Sequence, residues 1–164
     1  MRTPAKERAF SLVELVIVIV IIGVIAAIAV PRISRGAKGA GDAALRASLA
    51  GLRNAIDMYA AEHGGTFPAG ADQAAVEAKL KGKTDSQGNA GTEFGPYLRS
   101  GFPPLSVCAT KGSSTILLVT GDPAPDATTV GTGQGWIYST DTGKVVANCE
   151  DTETDDGGTP YNEY

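Results

Sequence analysis

The chain has 164 residues, room for one modest domain plus an appended segment, and a formal net charge of -4. That charge is unevenly spread: residues 39–164 hold eight basic and sixteen acidic side chains, a net of -8. So acidic a domain repels phosphate, which argues against DNA or RNA as its partner, and 21 glycines with few aromatics suit a small fold rich in turns.

Residues 1–9 are basic at Arg2, Lys6 and Arg8 against Glu7. They run into "FSLVELVIVIVIIGVIAAIAVP", Phe10 to Pro31, where Glu14 is the one charge. Twenty-one residues from Phe10 to Val30 would span about 31 Å as a helix, close to the thickness of a bilayer core. The run "VIVIVII" has strand propensity, but a lone segment in lipid must satisfy its own backbone, which a helix does. A membrane helix is therefore expected. Three basic residues precede the run and Arg32, Arg35 and Lys38 follow it, so charge counting leaves its orientation open.

After "RGAKGAG" an amphipathic pattern starts at about Asp42. Leu45, Leu49, Leu52, Ile56 and Tyr59 follow at spacings of 4, 3, 4 and 3, one apolar stripe on a 3.6-residue period. Arg46, Arg53, Asp57 and Glu62 lie mostly off the stripe, and "HGG" at 63–65 ends the helix. A short helix is predicted after Asp72 as its N-cap, with Val76 and Leu80 on one face. Residues 82–104 read as loop, "TILLVT" (115–120) as a strand, and "GWIYSTDTGKVVANC" as a hairpin. The tail "EDTETDDGGTPYNEY" is acidic and polar, and no internal repeat is visible. These elements make an α+β chain: a long N-terminal helix, apolar then amphipathic, followed by a small antiparallel sheet.

Candidate chemistry is sparse. His63 is the only histidine, and no phosphate loop, Gly-x-Ser-x-Gly or CxxC pattern occurs, so an enzyme is not expected. Asp151, Glu153, Asp155 and Asp156 can offer oxygen ligands to Ca²⁺, but they miss the EF-hand pattern because the glycine falls one place late. A solvated acidic tail is the competing reading, and no other cofactor is expected. Cys108 and Cys149 either stay as reduced, buried thiols or, in an exported domain, pair to close a loop of about 40 residues at roughly 4 kcal/mol. The apolar N-terminus favours export.

An unpaired Glu within lipid costs a few kcal/mol or more, so Glu14 calls for a partner. Two processing readings compete. An ordinary secretory signal would be cut at "AIA" (Ala27–Ala29), leaving a chain that starts at Val30. A cut between Ala9 and Phe10 would instead keep the apolar helix and create a new amine on Phe10. Phe10 and Glu14 are four residues apart, so on a helix the amine and the carboxylate lie within about one turn. The same pairing between neighbouring parallel helices would set their axial register, the best-attested use of a buried ion pair.

At this point the sequence resembles the type IV pilins and type II secretion pseudopilins with their class III leader. The resemblance rests on the short basic leader and "A|FSLVELVIVIVIIGVIAAIAVP", with Phe10, Glu14, Gly23 and Pro31 at the family's positions. "LRNAIDMYAAEHGGTFP" is similar to the corresponding helix end of major pseudopilins. The resemblance implies that a prepilin peptidase cuts after Ala9, where the family usually has Gly, and methylates Phe10. It implies a leader (1–9) in the cytoplasm, a transmembrane and assembly helix (10–31), its amphipathic continuation (32–65) and a small β-rich extracytoplasmic domain (66–164). Glu14 would recruit or register subunits, and Gly23 and Pro31 would bracket a stretch able to lose helix in a filament. The implied location is the bacterial inner membrane before assembly. Implied partners are further copies, other pilins or pseudopilins and an inner-membrane assembly platform. A type II secretion subunit is the leading expectation, a type IV pilus subunit the next. A secreted or membrane-anchored binding domain with an ordinary signal is the alternative of another kind.

Overall fold

The computed structural model describes residues 10–164. Contacts divide the chain into two units, one through Ala37 and one of Lys38–Tyr164. A single helix, α1 (Leu12–Glu62, 51 residues), contributes to both. It runs through the "RGAKGAG" stretch and holds Pro31 inside it. Among the described residues of the first unit, Ala29 alone is half-buried and the rest are exposed.

In the second unit the predicted stripe is the core face of α1. Leu45, Leu49, Leu52, Ile56 and Tyr59 are each at most 1% exposed. Burying five side chains of this size contributes on the order of 1.5–3 kcal/mol apiece. The helix ends where "HGG" predicts. Gly64 takes the left-handed conformation (φ 63°), and the Gly65 N–H donates to the Ala60 carbonyl at 2.8 Å. Just beyond Glu62, His63 is buried, stacked on Tyr59 and tied to the Tyr59 carbonyl and the Thr84 hydroxyl.

Helix α2 (Gln73–Lys81) starts at Asp72, whose carboxylate accepts from the Ala75 N–H at 2.8 Å, and buries Val76 and Leu80. Three strands follow: β1 (Ile116–Val119), β2 (Trp136–Ser139) and β3 (Val145–Ala147). They form one sheet in the order β1-β2-β3. The β2–β3 hairpin is antiparallel, with Ile137 opposite Val146. The first pair corrects the expected all-antiparallel sheet: β1 and β2 run parallel, Leu117 opposite Ile137. Their connection, residues 120–135, is long enough for a crossover and includes a single helical turn, α3 (Ala127–Val130). All four residues of β2 are buried, as befits the middle strand.

The acidic tail is not a solvated end. Residues 154–160 close a turn by a bridge between Thr154 and Pro160, and a 3-10 turn (Tyr161–Glu163) follows. Tyr161 is 4% exposed and donates to Asp42 on α1 at 2.6 Å. Lys38 and Arg46, one turn to either side of Asp42, pair with Asp156 (3.2 Å) and Asp155 (2.9 Å). Arg53 donates to the Tyr164 carbonyl. One polar face of α1 thus clasps the last ten residues.

That turn also has a twin. At Thr84-Asp85 and at Thr154-Asp155 the Asp carboxylate accepts from the N–H two and four residues on, at 2.7–3.0 Å. In both, the Asp N–H reaches the carbonyl four residues later at 2.9 Å, and a left-handed glycine (Gly88, Gly158) sits three residues after the Asp. The repeat occupies about seven residues and shares only Thr, Asp and Gly, too little to stand out in the sequence.

Candidate functional site

The apolar half of α1 begins with a cap. Ser11 precedes the first helical residue, and its hydroxyl accepts from the Val13 N–H at 3.3 Å. Glu14 falls three residues after the cap, in the first turn. Ser11-Leu12-Val13-Glu14 therefore has the spacing of a capping box, a signal legible in the sequence beside the charge argument. An anion in the first turn also faces the positive end of the helix dipole. Regular helix starts two residues after Phe10, so a shared helical turn does not by itself bring the Phe10 amine to Glu14. Ala9 and the rest of the leader lie outside the described residues.

Beyond Glu14 the helix shows apolar side chains on every side. Ile17, Ile21, Val24, Ile25 and Ile28 are each more than half exposed, and the segment is long and apolar enough to cross a membrane. A helix apolar all round needs lipid or other helices about it. Gly23 has nothing within 4 Å of where a Cβ would stand, so no contact among the described residues explains it. Pro31 cannot donate to the carbonyl four residues back, which removes one rung from the helix ladder near the end of the apolar run. Arg35 donates from Nε to the Pro31 carbonyl at 3.3 Å.

The other predicted residues lie in the second unit. Cys108 and Cys149 form a disulfide with Cα atoms 5.7 Å apart. It joins the loop after Leu105 to the end of β3. The four tail carboxylates turn to different partners. Asp151 accepts from Asn162, and Glu153 from the N–H groups of Ala109 and Glu150. Asp155 takes Arg46, Gly157, Thr159 and Tyr164, while Asp156 pairs with Lys38. Among the described residues, the one grouping of three potential ligand atoms is Cys108, Cys149 and Glu153, and its two sulfurs are bonded to each other.

The tail's titratable groups are shifted by these contacts. The Tyr164 hydroxyl, the N–H groups of Thr159 and Gly157 and the Arg46 guanidinium hold the Asp155 carboxyl below its usual range. Burial, then the bond to Asp42, pushes the Tyr161 hydroxyl up. At the other end of the amphipathic half, burial and the bond to Glu62 push Tyr97 up to about 12.

Residues 4–30 match the family model of the prokaryotic N-terminal methylation motif. The match supports a type IV pilin-like or pseudopilin-like prepilin, and with the apolar helix it is consistent with anchoring in a membrane. No curated protein and no solved structure matches the chain.

Proposed function

We propose that this chain is a structural subunit of a helical filament, cut between Ala9 and Phe10, methylated on Phe10, and assembled through the apolar half of α1. The observation that carries this reading is an apolar helix exposed on every side, opening with a single carboxylate inside a matched methylation motif. Packing against further copies would cover that surface. It would also offer Glu14 a cationic partner, the Phe10 amine of a neighbour, which arises only when the leader is removed. In this reading the leader stays in the cytoplasm and the Lys38–Tyr164 unit lies outside. A prepilin peptidase and an inner-membrane assembly platform act on the chain, which does no catalysis itself.

A type II secretion pseudopilus is favoured over a type IV pilus by the helix end "LRNAIDMYAAEHGGTFP", which resembles that of the major pseudopilins. The test is assembly. Glu14→Gln and Glu14→Ala should leave membrane insertion intact or improved, since they remove a charge from lipid. Filament yield from cells carrying the assembly apparatus, scored by electron microscopy, should fall at least tenfold. Wild-type yield from either variant would refute the role given to Glu14.

A further inference from the structure

The disulfide has a carboxylate for a neighbour. A Glu153 oxygen and the sulfurs of Cys108 and Cys149 all lie within 4.8 Å of one another. The side chain is held there from two sides. Oε1 accepts from the Ala109 N–H at 2.7 Å and Oε2 from the Glu150 N–H at 3.0 Å. Those N–H groups belong to the residues directly after the two cysteines, so one carboxylate braces both ends of the bridge.

The two sulfurs are not equally open. Cys149 is fully buried and Cys108 half-buried, so a reducing thiolate reaches Cys108 Sγ first. Attack there forms a bond between the incoming sulfur and Cys108 Sγ and breaks the bond to Cys149 Sγ. The electron pair leaves on Cys149 as a thiolate. A second thiol then releases Cys108, the reductant departs as its own disulfide, and solvent protons restore both cysteine thiols. The Cys149 thiolate forms in a buried site, where desolvation disfavours it, and beside a carboxylate, where like charge disfavours it again. The attacking thiolate is an anion approaching the same carboxylate.

We infer that Glu153 is an electrostatic guard of the Cys108–Cys149 bond, a positioning residue that keeps the bridge oxidised by opposing both the entering and the leaving thiolate. The guard is independent of which filament, if any, the chain builds.

The test compares reduction of the folded, full-length protein by glutathione, whose thiolate form is net negative, and cysteamine, whose thiolate form is a neutral zwitterion, with rates corrected to thiolate concentration. Glu153→Gln should speed reduction by glutathione roughly fivefold to tenfold, the factor expected for one unit charge at about 5 Å in a wet environment. It should speed cysteamine clearly less, so the ratio of the two rates rises. Asp57→Asn, which removes an exposed charge on α1, should leave that ratio unchanged and controls for the acidity of the whole domain. An unchanged ratio in Glu153→Gln overturns the inference. So does an equal acceleration by both thiols, because opposition to the entering thiolate must separate the two reagents, whereas an effect on the Cys149 thiolate alone, or a loosened structure, would not. Should the Gln variant lose its fold by circular dichroism, Glu153→Asp decides. It keeps the charge and must keep a ratio within twofold of wild type, and a larger shift counts against the guard.

Discussion

Glu14 is the only charge between Phe10 and Val30, and two physical roles converge on it. As the third residue after Ser11 it suits the start of a helix, and as a carboxylate within an apolar run it needs a cation. The first role was legible in the Ser-x-x-Glu spacing; the second was legible in the charge alone. Tyr161 was not legible. It lies in an acidic tail, and it packs into the core and donates to Asp42, 119 residues away, which no local pattern reports. Tyr161→Phe should leave the buried Asp42 carboxylate without its donor and destabilise the Lys38–Tyr164 unit by about 1–3 kcal/mol in urea unfolding. Asp155 gives a prediction in pH. Its carboxyl is held low in the folded chain, chiefly by the Tyr164 hydroxyl, so its contribution is fully present above the unfolded value of about 4 and is lost as pH falls through the folded one. Asp155→Asn should therefore flatten the acid limb of a stability-against-pH curve below about pH 4, while lowering stability at neutral pH.

At the scale of elements, α1 is the one long helix, apolar then amphipathic, that the sequence led one to expect, and it is continuous despite its glycines. Three glycines in seven residues after Pro31 weaken it there, since each costs about 1 kcal/mol relative to Ala within a helix. The helix nevertheless runs on to Glu62, anchored from Leu45 onward by buried packing. Gly41 has a packing reason: a Cβ there would stand 3.3 Å from Val107 and 3.4 Å from the Ser106 carbonyl. Gly36 and Gly39 meet nothing within 4 Å. Gly36→Ala and Gly39→Ala should each slow amide hydrogen exchange over residues 33–40 by about threefold to fivefold, while Gly41→Ala gains less or nothing. The strands were legible one by one from their apolar runs and turn residues. The direction of β1 against β2 was not. Strand direction follows from how a long connection crosses the sheet, and residues 120–135 carry no periodicity that states their path.

The whole molecule divides its tasks along the chain. The unit through Ala37 has a surface unsuited to water, and the Lys38–Tyr164 unit has a core, a disulfide and an acidic exterior. What was legible of the pilin-like character lay almost wholly in the first 31 residues, where residues 4–30 match the methylation motif, because lipid constrains composition over a continuous run. The second unit reads as a fold and carries no catalytic pattern, since what such a domain touches is set by surface detail. In the proposed reading, a cut that creates the Phe10 amine would link the apolar helix to assembly, and such a cut can be read directly. Mass spectrometry of the mature chain isolated from membranes should find an N-terminal peptide beginning with N-methylated Phe10 and containing Glu14. A mature chain beginning at Val30 would contradict it, because that cut discards the helix on which the proposed assembly depends.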